Sequence, residues 1–244
     1  MSATSGTVLD AGAGSGLLQW FLAEEGFRVI SADRTSRAGL PVRFRSRYRV
    51  RGFRGVDLMS APAAMIRQVA DDRSPVRGIA RQARDLKDVL GGPKPHGPGE
   101  VIIYNQDLRD LRDLPADSID AVVAVSALEH NPPEELLLVV RELRRVLRPG
   151  GRLLATLGAA RDMDWFHEPS QGWCYSEASL RRIFEVDPET HSNYDQYDRL
   201  LVELRSCAEL RDNLATFYFK SGNNGMPWGV WDPTYQSVGV MVTK

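Results

Sequence analysis

Asp10, Gly12, Gly14 and Gly16 lie in the stretch VLDAGAGSG, residues 8–16, and a second acid, Asp33, follows about twenty positions on. Glycines at this spacing let a chain turn sharply after a strand and bring its backbone close to a ligand. A helix opening behind such a turn presents free N–H groups and the positive end of its dipole. An acid placed like Asp33 can hold both hydroxyls of a ribose. The pattern predicts a site for a ribose-bearing nucleotide. It is not a clean GxGxxG, because the third glycine comes one residue early, and the chain has no phosphate-binding loop ending in Gly-Lys-Ser/Thr.

The elements that must carry these residues are legible in the local pattern. Thr7–Asp10 is short, apolar and β-branched, and reads as a buried strand; residues 17–25 have helical apolar spacing and stop at Gly26; residues 27–33 form a second strand ending on Asp33. This is close to the minimal size of a βαβ crossover. Residues 42–51, VRFRSRYRVR, alternate apolar and basic, which predicts a half-buried strand or ribbon with arginines on its open face. Residues 61–70 and 76–90 read as helices, and 91–99 as a Pro/Gly linker. Strands are then expected over 100–108, 118–130 and 152–159, with a helix over 132–151 stopped by Pro-Gly-Gly. Helices over 176–184, capped by Ser176, and over 196–214 precede a closing strand at 237–244. Strand–helix alternation of this kind means a covered parallel sheet.

The chain has 244 residues, 43% of them hydrophobic, and a net charge of −1. That is enough for a substantial core in one elaborated domain. No apolar run approaches the ~20 residues of a membrane span, the start lacks the order of a signal peptide, and a cytoplasmic protein is the expectation. Cys174 and Cys207 are far apart with no CxxC pair, so neither a disulfide framework nor a metal site is indicated. The charge is uneven. Arg34–Lys87 holds 14 basic and 4 acidic residues, a local +10 against −11 elsewhere. Such a field attracts an anionic partner, whereas the plainer reading is a solvated basic face.

The spelling DAGAGSG resembles the first motif of the class I S-adenosylmethionine-dependent methyltransferases, an acid followed by x-G-x-G-x-G. Three further stretches agree in order: SAD ending the second strand, NQDLRDLRDLPADSIDAVVAVSALEH, and LEHNPPEELLLVVRELRRVLRPGGRLLAT. The resemblance covers about residues 6–36 and 100–160. It implies an α/β, Rossmann-like fold: a mostly parallel seven-stranded sheet with an antiparallel C-terminal strand, helices on both faces and an insertion between strands 2 and 3. One methyltransferase domain would span 1–244, with the basic insertion at 37–99 as a lid or substrate-recognition element. The implied cofactor is S-adenosyl-L-methionine, leaving S-adenosyl-L-homocysteine. Asp10, Ala11, Gly12, Gly14 and Gly16 would hold its methionine part and Asp33 its ribose. Arg34 would lie beside the adenine, Asp107 would accept from the adenine amino group, Leu108 would pack on the ring, and Ser126 would lie at the sulfonium end. Members of this family usually carry a helix or two before the first strand. Here about six residues precede it, which leaves an open site, a lid made by the insertion, or a truncated chain as the readings.

Methyl transfer from a sulfonium is an in-line displacement in which the protein mainly aligns the nucleophile, with a base near a hydroxyl or amine acceptor. His130, at the carboxyl end of the fourth strand, and His167, after the fifth, are the candidate bases. Trp165, Phe166, Trp173, Tyr175, Trp228, Trp231 and Tyr235 could stack on an acceptor or simply fill the core, and residues 223–233 read as a loop near the acceptor. The first reading is methylation of a small or anionic acceptor, at an oxygen of a glycan, lipid or other secondary metabolite. The alternatives are a nucleic-acid methyltransferase using the arginine ribbon and a catalytically silent cofactor-binding partner. The motif of base-amine methylation is absent, since HNPP at 130–133 is not followed by an aromatic.

Overall fold

The computed structural model describes residues 6–91, 97–213, 226 and 230–244. The chain forms two compact units. The first comprises Met1–Val123, Glu142–Arg152 and Lys244; the second comprises Ala124–Arg141 and Leu153–Thr243.

In the first unit β1 (Thr7–Ala11), β2 (Arg28–Asp33), β4 (Glu100–Asn105) and the start of β5 (Ile119–Val125) are short, apolar strands. With β3 (Val50–Gly52) they pair in the order β3-β4-β2-β1-β5, every pair parallel. Val29, Val101, Ile102 and Ile103 are fully buried, as expected of strands covered on both faces. The register places Asp10 opposite Ser31 on one side and Val123 on the other. Helix α1 (Leu18–Glu24) buries Gln19, Trp20 and Ala23 and ends before Gly26, whose φ of 97° only glycine adopts freely.

The arginine-rich stretch departs from its predicted ribbon. Val42–Arg47 is a helix, α2, and only Val50–Gly52 is a strand. Pro41 stands at the helix entry, and Phe44 and Tyr48, four residues apart, land on one side. There Phe44 stacks on Trp20 at 5.0 Å and Tyr48 tilts against it at 4.7 Å. Packing on Trp20 outweighs a local alternation that is equally compatible with a strand. Arg43, Arg47, Arg49 and Arg51 are exposed, while others are held by the fold. Arg45 donates to the carbonyls of Leu40, Ala38 and Met59, and Arg54 pairs with buried Asp57 and lies over the Tyr104 ring. Helices α3 (Ala61–Ala70) and α4 (Pro75–Gly91) follow as predicted.

In the second unit β8 (Gly172–Tyr175) pairs parallel with β6 (Leu147–Ala159) and antiparallel with β7 (Trp165–His167), while β9 (Gln236–Thr243) also pairs with β6. Elements β5, α5 (Pro133–Val146) and β6 run from one unit into the other. The strands number nine among the described residues, against the seven predicted. The fold is the mostly parallel, Rossmann-like one. Helix α6 (Glu177–Phe184) is capped by Ser176, whose hydroxyl accepts from the Ser179 amide. The single helix predicted over 196–214 is interrupted: α7 (Tyr197–Ser206) ends where Cys207 turns extended, and the Trp231 indole takes the freed Leu204 carbonyl. The Pro-Gly-Gly stop lies inside β6, because Gly150 and Gly151 bond the Lys244 backbone. Among the described residues no helix is long and apolar enough to cross a membrane.

Trp20 is 4% exposed and carries both aromatic contacts of α2. Trp20→Ala is expected to lower stability by about 3–5 kcal/mol, read as the urea unfolding midpoint, with the basic segment losing protection first in hydrogen exchange.

Candidate active site

The glycine turn of the first unit hangs on the end of β2. The Gly12 and Ala13 amides both donate to the Ala32 carbonyl, at 2.9 and 3.1 Å. The Gly14 amide donates to Asp33 Oδ2 at 2.8 Å, and Asp33 Oδ1 takes the Thr35 amide at 2.6 Å. Gly12 and Gly14 have φ of 77° and 48°, the left-handed region in which a side chain is strained. Gly16 closes the turn onto the Ala13 carbonyl. The Ala11 side chain is wholly buried, so only its backbone borders the turn.

Asp10 ends up 3% exposed with Oδ2 lacking any partner. Burial pushes its carboxyl up to about 6; the Arg37 guanidinium opposes the shift and the Asp33 carboxylate adds to it. Arg37 is a residue that sequence reasoning passed over in favour of its exposed neighbour Arg34. Its guanidinium donates to the Gly14 carbonyl, to Gln19 Oε1, and to the hydroxyl and carbonyl of Ser31. No spacing rule marks it, since its partners come from three separate elements. Asp107 and Leu108 follow β4; the Asp107 carboxylate is held by the Arg109 guanidinium two residues on, which keeps it below the usual carboxylate range.

The other candidates lie in the second unit. Ser126 follows β5 with φ of 47°, a conformation costly for a non-glycine residue, and its amide donates to Thr156 Oγ1 at 3.0 Å. A single 3-10 turn, Leu128–His130, comes next. His130 Nδ1 lies 2.8 Å from the Gln171 carbonyl. A carbonyl only accepts, so Nδ1 carries the hydrogen and the neutral ring keeps its lone pair on Nε2. Glu129 has a buried oxygen, Oε2, without a partner, and burial raises its carboxyl. Ser126, Glu129, His130, Ser170, Cys174 and Tyr235 line a cavity of about 60 Å³. Burial pushes the Cys174 thiol up to about 12, so it is no nucleophile at neutral pH. His167 is buried, bonded to Ser170 and set edge-on to Trp165 and Tyr235; burial holds its pKa down. Tyr175 is core. Trp228 and most of the 223–233 loop lie outside the described residues.

A family described as a methyltransferase domain matches residues 39–155. That span starts after the glycine turn and Asp33 and takes in Asp107, Ser126 and His130. The match takes in just under half of the chain, and the glycine turn with its acid, supplied by β1 and β2, lies before it. No curated protein matches the chain. Among solved structures, the 1,6-didemethyltoxoflavin-N1-methyltransferase of Burkholderia thailandensis, with 1,6-didemethyltoxoflavin and S-adenosylhomocysteine bound, is 16% identical, covering 74% of this chain and 59% of its own, at a TM-score of 0.42. This chain therefore spans less than two thirds of it. A methyltransferase of Methanosarcina mazei is 18% identical over 73% and 77% of the two chains, TM-score 0.42. The cyclase SpnF is 15% identical over 98% and 74%, TM-score 0.48. Likenesses this weak say nothing of acceptor or chemistry.

An acid whose pKa rises on folding binds its proton more tightly in the folded chain. Asp10 therefore favours the folded state fully only below the ordinary carboxylate range, and that contribution is lost as pH rises through about 6. A shift of about two units corresponds to about 3 kcal/mol. In urea unfolding across this range, Asp10→Asn is expected to flatten the fall in stability that the unaltered chain shows.

Proposed function

We propose that the chain transfers a methyl group from S-adenosylmethionine to an oxygen of a small acceptor, of the glycan, lipid or secondary-metabolite kind. The observation that carries this reading is the buried, unpartnered Asp10 Oδ2 beside a glycine turn whose backbone can approach a ligand closely. An orphaned carboxylate oxygen is costly alone and fits an ammonium group. On this reading Asp10 takes the ammonium of the cofactor, and Gly12, Gly14 and Gly16 border its methionine part. Asp33 keeps accepting capacity for the ribose beyond its two amide bonds, Arg34 and Leu108 flank the adenine, and Asp107 accepts from its amino group once Arg109 yields. When bound, the cofactor supplies a sulfonium-activated methyl group.

His130 is the better base of the two histidines. Its Nδ1–H is spent on Gln171, so Nε2 is set to accept a proton from an acceptor hydroxyl, and the ring lines a polar cavity. His167 has its Nδ1 bonded to Ser170 and is packed between aromatics. Glu129, which lines the same cavity and has one buried oxygen without a partner, would orient the acceptor hydroxyl or steady the imidazolium. For the nucleic-acid alternative, Arg45 and Arg54 are engaged by protein groups while Arg43, Arg47, Arg49 and Arg51 are exposed, and a steep salt dependence of binding would favour it. The insertion is read as a covering element for the first unit.

Calorimetric titration with S-adenosylhomocysteine is expected to show micromolar binding that Asp33→Ala weakens at least tenfold, roughly the worth of a charge-assisted hydrogen bond. No binding would sink the reading. Transfer of label from methyl-tritiated cofactor to a panel of hydroxylated carboxylates and phenols then tests the acceptor. His130→Gln is expected to lower kcat by about 10²–10⁴ with cofactor affinity unchanged. Binding without transfer to any acceptor would favour the silent-partner alternative.

A further inference from the structure

Arg37 sits behind the glycine turn with more bonds than a surface arginine has reason to make. Its side chain reaches α1 through Gln19, β2 through Ser31 and the turn through the Gly14 carbonyl, while its backbone amide donates to Asn105 at the end of β4. Gly14 is thus held from both sides, its amide by Asp33 and its carbonyl by Arg37. The guanidinium also faces both carboxylates at the neighbouring strand ends, Asp10 and Asp33, with Asp57 further off. The Asp33 carboxylate favours the protonated form of Asp10 and the Arg37 cation opposes it, and a guanidinium stays charged wherever the protein is folded. Arg37 Nε and Asp10 Oδ2 are two of the four buried side-chain atoms without a hydrogen-bond partner among the described residues. The pair is therefore coupled through charge and not through a bond of its own. Arg37 further walls a cavity of about 510 Å³ shared with Gly14, Gln19 and Trp20.

We propose that Arg37 is a positioning residue for the cofactor: it holds Gly14 by its carbonyl and supplies the counter-charge that keeps the Asp10 carboxylate ready for an ammonium group. The proposal rests on the methyltransferase reading, and it acts through Asp10 and Gly14 without requiring Arg37 to touch the cofactor. A merely structural brace would weaken binding equally at every pH. A counter-charge would also move the pH at which binding fails, because Asp10 without Arg37 holds its proton to higher pH.

The test titrates S-adenosylhomocysteine by calorimetry into the unaltered chain, Arg37→Gln and Arg37→Lys between about pH 5 and 8, the range in which Asp10 titrates. Urea unfolding without ligand is followed over the same range. The unaltered chain is expected to lose affinity below about pH 6. Arg37→Gln should bind about tenfold more weakly at pH 8 and lose affinity about one unit higher. Its ligand-free stability should keep falling about one unit further up the pH scale. Arg37→Lys, which keeps the charge and loses the fork, should retain the original pH profile at reduced affinity, and it carries the test if the glutamine variant does not fold. Unchanged binding by Arg37→Gln, a loss that is the same at every pH, or a lysine variant whose profile shifts as glutamine's does would each overturn the proposal. Failure of the unaltered chain to bind at all would overturn the methyltransferase reading itself, which separates the two failures.

Discussion

Three successive amides, those of Gly12, Ala13 and Gly14, are held by the last two residues of the neighbouring strand. The turn after β1 has almost no hydrogen bonding of its own; the carbonyl of Ala32 and the carboxylate of Asp33 supply it. That arrangement demands that β1 and β2 be parallel and in register, since a slip of one residue would turn every side chain to the other face. The register is enforced by burial on both faces, with Leu9, Ala11, Val29 and Ala32 all fully enclosed. Everything placed around the turn, including the depth of Asp10 and the reach of Arg37, follows from that one pairing.

A second consequence is electrostatic. Parallel strands put their carboxyl ends side by side, so acids that end them become neighbours in a poorly hydrated place. Desolvation is the largest influence on Asp10, ahead of either charge beside it. Folding therefore stores an unfavourable carboxylate at the turn, and a complementary cation would relieve it. This is the reverse of a structural ion pair such as Asp57 with Arg54, where backbone and guanidinium bonds hold the acid below its ordinary range despite burial. Asp57 is satisfied and serves to tie β3 and β4 together at their ends. Asp10 is as little exposed and keeps one oxygen without a partner.

The second unit shows the same logic on a smaller scale. Gly172 gives Glu129 its room, since a Cβ there would come within 3.2 Å of the Glu129 side chain. The carbonyl of the preceding residue, Gln171, holds the His130 ring in one tautomer. Gln171 itself has a φ of 51°, so a strained residue in the β7–β8 hairpin sets the ring that the 3-10 turn after β5 presents. Strain at Ser126 and Gln171 together, around one polar cavity, is costlier than an ordinary loop requires.

The sequence by itself determined the βαβ start, strands within 100–108 and 118–130, the first two thirds of the helix expected over 132–151 and the order of four motifs. Each of these is local: an apolar run, a glycine cluster or a capping residue acts on its immediate neighbours. The glycine turn and Asp33 were legible for the same reason. Tertiary structure decided what periodicity could not. Residues 42–51 satisfy a period of two as arginine and apolar alternate, yet Phe44 and Tyr48 are drawn onto Trp20, and a long-range aromatic stack chose the helix. It also decided which arginine turns inward: Arg45 meets carbonyls of the fold, while Arg43, Arg47, Arg49 and Arg51 stay exposed. Arg37 stayed invisible because its importance lies in being near Asp10, Gly14, Ser31 and Gln19 at once, and only the closing of β1 against β2, with α1 packed over them, brings those four within its reach.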